Sequence, residues 1–237
     1  MSNEKRISRS KLESLFKCRL CGYLEIRHEV KQPSIPFAIN MAVDVLLKKD
    51  FDQYRETGQV PPVLAKLGKN FVPFQDSRLE TWRDSKLGIQ RQDPVTGITV
   101  YGAIDDIWTL DGQIVVVDYK STARYAPVKE LGTESYHDSY RRQLDFYAWL
   151  LNGNGLITSE TGYLFYVTGR KGAAGFMGRL EFDPTLIEHK IDTSWIEPFL
   201  KEANSVLAGP PPSGAEDCNW CQYRATVSSI LSAGSNG

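Results

Sequence analysis

The chain has 237 residues, enough for one large domain or for one core with a small accessory lobe. Its composition, 41% hydrophobic, 11% aromatic and 24% charged, is that of an ordinary globular protein, and its formal net charge of −1 argues against a broad, non-specific grip on nucleic acid. Any such contact must be local or assisted by a bound metal. No run of eighteen apolar residues is present, so no membrane span is expected. The polar start Met1-Ser-Asn-Glu-Lys-Arg lacks the apolar segment of a signal peptide, which makes the cytoplasm the expected location.

A short helix is expected over residues 8–16, capped by Ser8 or Ser10 and leading into a first cysteine pair, Cys18-Arg-Leu-Cys21. The clearest helix covers residues 37–54. Its apolar positions Phe37, Met41, Val45 and Leu46 recur at helical spacing, with Lys48, Lys49 and Asp50 on other faces, and Pro33 and Pro36 stop anything helical before it. After punctuation at 58–62 a loosely patterned stretch runs to about Thr81. The pattern then changes to strands at 86–91, 98–110 and 113–121, joined by turns at 93–97 and at Asp111-Gly112, a strong hairpin signal. A polar loop over 122–134 leads to a helix at 137–151, whose buried stripe is Leu144, Tyr147, Ala148 and Leu151. Strands at 162–168 and 176–182 and a helix at 193–207 follow. The Pro-rich segment 208–214 is a stiff linker that delivers a second pair, Cys218-Asn-Trp-Cys221, and the tail beyond Thr226 is Ser- and Gly-rich with a frayed end.

Chemistry concentrates at the hairpin. Asp105 closes one apolar strand, and Asp118-Tyr-Lys120 closes the next, after the apolar run Ile114-Val-Val-Val. Side chains alternate along a strand, so Asp118 and Lys120 share a face, and the hairpin brings Asp105 near them. Two carboxylates and an ammonium at a sheet edge suit a hard divalent cation and an attacking water. The residues alone leave open a second reading, in which the acids sit at strand ends and Asp118 is simply paired with Lys120. Gln143 and Tyr147, one turn apart on the following helix, share a face from which Gln143 can orient the acids or the lysine.

The ordered set Gly102-x-x-Asp105, Asp118-x-Lys120 and Gln143-x-x-x-Tyr147 resembles the PD-(D/E)XK nuclease superfamily, and within it the RecB-like branch that includes CRISPR-associated exonucleases and the nuclease domains of helicase–nuclease complexes. The resemblance implies an α/β fold with a restriction-endonuclease-like core, a central mixed β-sheet flanked by helices. It covers the chain as a single domain, with a helical part over 1–82, the sheet core over 83–185 and a C-terminal part over 186–237. It further implies a Mg²⁺- or Mn²⁺-dependent deoxyribonuclease acting on single-stranded DNA or ends, in repair, recombination or CRISPR-type processing, with other DNA-processing proteins as partners. The alternative is a nucleic-acid-binding or scaffold module that keeps the fold without turnover. By the same resemblance Asp105 and Asp118 are metal-binding carboxylates, Tyr119 lends its backbone carbonyl to the ion, and Lys120 positions the attacking water. Gln143 and Tyr147 support them. The family places a Gly-x-x-x-His segment upstream, and here that place reads Asn40-Met-Ala-Val-Asp44. Asp44 is either a substitute oxygen ligand or part of a polar helix face. His28 and His137 are read as incidental.

The four cysteines, as two CxxC pairs, favour metal binding over disulfides in an intracellular protein. Spacing alone leans to tetrahedral zinc. The resemblance favours a [4Fe–4S] cluster, with a two-plus-two split in place of the branch's one-plus-three, and the cluster is placed slightly ahead. Either group clips the chain ends together. Lys11, Arg124, Lys129, Arg141, Arg142, Arg170 and Lys171 are candidates to track a phosphate backbone, with Tyr125 or Tyr140 stacking on bases.

Overall fold

Residues 5–35 and 37–234 are described in the computed structural model; Pro36 and residues 235–237 of the tail lie outside them. The chain divides into two units, one of Met1–Ile35, Gln92–Val100 and Ser194–Gly237, the other of Pro36–Arg91 and Tyr101–Thr193.

Strand β1 (Arg6–Ser8) runs directly into helix α1 (Arg9–Lys17), and the Lys11 amide donates to Ser8 Oγ at 3.3 Å, the cap expected from the sequence. A second helix, α2 (Arg19–His28), was not anticipated and begins at once, with Cys18 ending one helix and capping the next. The two helices approach so closely that a Cβ on Gly22 would lie 2.1 Å from the Leu15 Cα, so only glycine is tolerated there.

Helix α3 (Ala38–Thr57) ends at Gly58, whose φ of 66° makes it a left-handed cap. Its core-facing row is Val43, Leu47 and Phe51. The row expected from the sequence is instead exposed: Phe37 is 76% and Met41 62% accessible, with Val45 and Leu46 also outward. The helix is apolar on two faces, and the sheet takes only one of them. Short elements α4 (Pro62–Lys66), β2 (Val72–Pro73) and α5 (Leu79–Arg83) fill the stretch read as loosely patterned.

Strands β3 (Ile89–Gln92) and β4 (Thr99–Gly102) flank the expected turn, where Asp93 Oδ2 accepts from the Thr96 amide at 2.7 Å. The single strand expected over 98–110 is broken. The backbone leaves β4 at Gly102 and resumes as β5 (Asp106–Leu110), so Asp105 stands in the gap between strands. Asp111 and Gly112, with φ of 50° and 79°, then make the two-residue turn into β6 (Gln113–Arg124). Helix α6 (Ser135–Gly153) carries the chain to β7 (Thr161–Arg170), which lies parallel to β6, and β8 (Phe182–Lys190) pairs antiparallel with β7. The strand expected over 176–182 does not form. That segment is a loop with positive φ at Met177 and Gly178, and β8 begins where the expected strand was to end.

The resulting sheet has the order β2-β5-β6-β7-β8 and is mixed. Alternation along β6 sends Val115, Val117 and Tyr119 into a core with Phe51, Phe71, Trp108 and Phe165. Each fully buried side chain of this size contributes about 1.5–3 kcal/mol. The opposite face, with Val116, Asp118 and Lys120, is the one α6 covers, and Leu144, Tyr147, Ala148 and Leu151 are all buried as expected. In the other unit, α7 (Ile196–Ala208) matches the expected helix, and α8 (Asn219–Gly234) runs through the Ser- and Gly-rich segment beyond Thr226, whose very end lies outside the described residues. Among the described residues no helix is long and apolar enough to cross a membrane.

Candidate active site and metal centre

The gap before β5 is what positions Asp105. Its Oδ2 accepts the Tyr119 amide at 3.0 Å, which pins the acid across the hairpin to the strand that carries Asp118 and Lys120. Asp118 is fully buried. Its Oδ2 is ion-paired with Lys120 Nζ but lies outside hydrogen-bond geometry, and neither of its oxygens has a hydrogen-bond partner among the described residues. A buried carboxylate left in this state carries a large desolvation cost. Burial, together with the Asp105 charge and against the pull of Lys120, pushes the Asp118 pKa up to about 7. Burial acts in the same direction on Asp105, but the Lys48 and Lys120 ammoniums and the Tyr119 amide outweigh it and hold that pKa below the usual carboxylate value.

Helix α6 supplies the second wall. Lys120 Nζ donates to Gln143 Oε1 at 3.2 Å, and Gln143 Nε2 donates to the Tyr147 hydroxyl at 2.9 Å. Two side chains one helical turn apart therefore hold the lysine by a relay that starts from a buried ring. Tyr140, which the sequence offered as a base-stacking residue, instead lies over Lys120, with its ring centroid 4.7 Å from Nζ.

Helix α3 brings Asp44 to the same place, through a residue that sequence reasoning left on a solvated face. Lys48 Nζ stands 2.8 Å from Asp44 Oδ2 and 3.1 Å from Asp105 Oδ1. Burial and the Asp105 charge raise the Asp44 pKa. Asn40 Nδ2 donates to the Ser121 carbonyl at 2.7 Å and ties the start of α3 to the end of β6. Asn40, Asp44, Tyr119, Lys120, Ser121 and Tyr140 line a cleft of about 160 Å³. With their free lone pairs the carboxylates are hard oxygen donors of the kind Mg²⁺ and Mn²⁺ prefer. Their ligand atoms are nevertheless not gathered: among the described residues only the four cysteines bring three or more within 4.8 Å of one another.

Behind the acids lies a polar network that the sequence did not disclose. Asp106, next to Asp105 in sequence, is fully buried and accepts from the Ile107 amide at 2.8 Å, Trp108 Nε1 at 2.9 Å and Arg83 at 3.2 Å, and also from Arg55 and the Tyr119 hydroxyl. Arg83 Nε donates to the Asp105 carbonyl at 2.9 Å, and its Nη1 reaches both oxygens of Asp52. Local sequence offers little sign of it: Asp52, Arg55 and Arg83 sit in polar, charged stretches, and only Asp106 adjoins an apolar run, Ile107-Trp-Thr-Leu110.

The cysteine pairs converge as expected. The Sγ separations are 3.6 Å for Cys18 and Cys221, 3.7 Å for Cys21 and Cys218, and 3.7 Å for Cys21 and Cys221; no disulfide is present among them. The four-cysteine cluster joins the N- and C-terminal segments. His137 is held locally, its Nδ1 accepting the Gly132 amide at 2.9 Å. Several basic residues proposed to track phosphates are engaged nearby: Arg170 with Asp183 and Glu181, Arg141 with Asp138, and Arg124 with the Tyr136 hydroxyl. Tyr125 remains 85% exposed.

A sequence profile described as the PD-(D/E)XK nuclease superfamily matches residues 40–226. No curated protein matches. Two solved structures are similar in chain trace. The crystal structure of SSO0001 is 16% identical, with a TM-score of 0.42 over 95% of this chain and 86% of that one. A predicted exonuclease from Eubacterium rectale is 14% identical, with a TM-score of 0.49 over 94% of this chain and 89% of that one.

Proposed function

Because this chain belongs to the PD-(D/E)XK nuclease superfamily, we propose that it is a divalent-metal-dependent deoxyribonuclease, acting on single-stranded DNA or on ends. The observation that carries the reading is Asp118: a fully buried carboxylate, ion-paired with Lys120 and crowded by the Asp105 charge, is an expensive arrangement that a bound cation would repay. Asp105, Asp118 and the Tyr119 carbonyl would hold Mg²⁺ or Mn²⁺, with Asp44 joining once Lys48 leaves it. When bound, such an ion lowers the pKa of a coordinated water and polarises the phosphate. Lys120 presents its ammonium to the attacking water and to the charge that develops on the phosphate. Gln143, backed by Tyr147, holds the lysine in that direction, and Tyr140 covers it from above.

The test is cleavage of single-stranded, duplex and branched DNA with Mn²⁺ or Mg²⁺ by wild type and by Lys120→Ala. Wild type is expected to cut, and the variant to lose about 100-fold or more in rate, the usual cost of one transition-state donor, with an unchanged circular dichroism spectrum. Absence of cleavage by wild type with either metal, or full activity of the variant, would overturn the proposal.

One observation favours a second reading, a nucleic-acid-binding or scaffold module without turnover. Lys48 already stands between Asp44 and Asp105 as an internal counter-charge. DNA binding that persists in chelator, with no cleavage under any metal, selects this reading.

A further inference from the structure

We propose that Cys18, Cys21, Cys218 and Cys221 bind one zinc ion and not a [4Fe–4S] cluster, in contrast to the expectation set by resemblance. The warrant is distance. Around a single zinc, with Zn–S bonds of about 2.3 Å, four tetrahedral thiolates stand about 3.8 Å apart. Three of the six separations are 3.6, 3.7 and 3.7 Å, and all four sulfurs lie within 4.8 Å of one another. The centre of a regular tetrahedron with such edges is about 2.3 Å from each corner, the length of a zinc–thiolate bond. In a cubane each thiolate binds a different iron and points away from the cluster centre, so its sulfurs must stand further apart than those around one ion.

The surrounding chain is fitted to the smaller group. A Cβ on Gly214 would lie 2.7 Å from the Cys221 sulfur, so the chain passes close to the ligand and leaves no room for a side chain there. The two pairs are built alike. Cys18 immediately precedes α2 and Cys218 immediately precedes α8, while Cys21 and Cys221 fall in the first turns. The Cys18 carbonyl accepts the Gly22 amide and the Cys218 carbonyl accepts the Gln222 amide, each at 3.0 Å. Both pairs thus sit at helix N-termini in the same local geometry. Among divalent ions competing for a tetrahedral thiolate site, zinc binds more tightly than ferrous iron, which argues against a mononuclear iron centre.

The full chain, expressed in iron-replete cells and purified without oxygen, tests this by elemental analysis, acid-labile sulfide assay and visible absorption. The expected result is one zinc per chain, neither iron nor sulfide, and a colourless protein that gains the visible bands of tetrahedral tetrathiolate cobalt on exchange with Co²⁺. Cys218→Ser combined with Cys221→Ser should reduce bound zinc by about tenfold or more, since two of the four ligands are gone. A brown protein with iron and sulfide, a mononuclear iron centre, wild type with no metal, or full zinc in the double variant would each overturn the assignment. Metal content of wild type decides between zinc and cluster even if the double variant fails to fold.

Discussion

Replacing Asp106 with asparagine tests whether the buried network beneath the site is structural and whether it positions Asp105. The native carboxylate accepts five donors: two arginines, the Trp108 indole, the Tyr119 hydroxyl and the Ile107 amide. Asparagine keeps the shape but removes the charge, and its amide nitrogen must point a donor at one set of these donors. Arg55 and Arg83, both largely buried, would lose their shared anion. Breaking a buried pair from one side typically costs about 3–5 kcal/mol. Two features reduce this figure here: Asp52 still accepts from both arginines, and the asparagine oxygen still accepts one set of bonds. We therefore expect Asp106→Asn to cost about 2–4 kcal/mol, a large part of a typical stability of about 5–15 kcal/mol. Urea unfolding followed by tryptophan fluorescence is the assay, because Trp108 donates directly to Asp106 and reports on the same cluster. The midpoint should fall with the slope unchanged. Because Arg83 also holds the Asp105 carbonyl, metal-dependent cleavage should fall under conditions where the variant remains folded. A loss below about 0.5 kcal/mol, the range of an ordinary surface change, would refute the view that Asp106 organises this end of the sheet.

Two other substitutions probe the frame. Gly22→Ala should destabilise by about 1–3 kcal/mol, the usual cost of overpacking, because the added methyl meets Leu15 backbone and not a side chain that can move aside; an unchanged thermal midpoint would show that α1 and α2 can separate freely. Asp52→Asn should weaken the protein by on the order of 1 kcal/mol near neutral pH, since its partners are buried but the acid is one-third exposed and partly screened. Burial alone would raise the Asp52 pKa, but the hydrogen bonds from Arg83 and Arg55 bring it below the ordinary value. Its contribution is therefore complete above the unfolded value of about 4 and is lost as pH falls through the lower folded value. Stability curves of wild type and Asp52→Asn should diverge above that window and converge below it; a gap that widens in acid would reverse the sign and defeat the argument.

What could be seen in the sequence was what local physics decides. The Ser8 cap, the Asp111-Gly112 turn and the buried stripe of α6 each follow from contacts within a few residues, and each appears in the structure. The failures share a cause. The exposed row of α3 was chosen over the buried one because Phe37, Met41 and Val45 have the same period as Val43, Leu47 and Phe51, and only the sheet decides which row is covered. The break at residues 103–105 was invisible because its neighbours on both sides are good strand formers. Helix α8 was not anticipated because serine and glycine beyond Thr226 mask the signal, yet the run from Asn219 contains alanine, isoleucine and leucine enough for four turns.

The site divides along the same line. Asp118, Lys120, Gln143 and Tyr147 were legible as a group because strand alternation and the helical repeat place them on facing surfaces of consecutive elements, and the relay from Tyr147 through Gln143 to Lys120 is what that placement yields. Asp44 was legible only as one of two alternatives, by its place in the motif, and Lys48 not at all, because no local rule connects α3 to the gap before β5. Their spacing, acid then lysine one turn on, describes an ordinary solvated helix pair, and the sequence could weigh Asp44 only against the histidine it replaces. In three dimensions the same lysine reaches a second acid from a different element, so a routine surface pair becomes the counter-charge of Asp105. That changes the question Asp44 poses. A carboxylate free to bind metal would be judged by its distance to the other acids alone. A carboxylate sharing a lysine with Asp105 must be judged by whether a divalent ion, worth two charges at close range, displaces one ammonium. Lys48 is shared by Asp44 and Asp105, and Lys120 is paired with Asp118, so a divalent ion bound by these acids competes with two ammoniums. Metal-dependent protection of Asp118 and Asp105, measured by the shift of their titration on adding Mg²⁺ or Mn²⁺, is the outcome expected if the ion displaces those ammoniums; an unchanged titration would refute it.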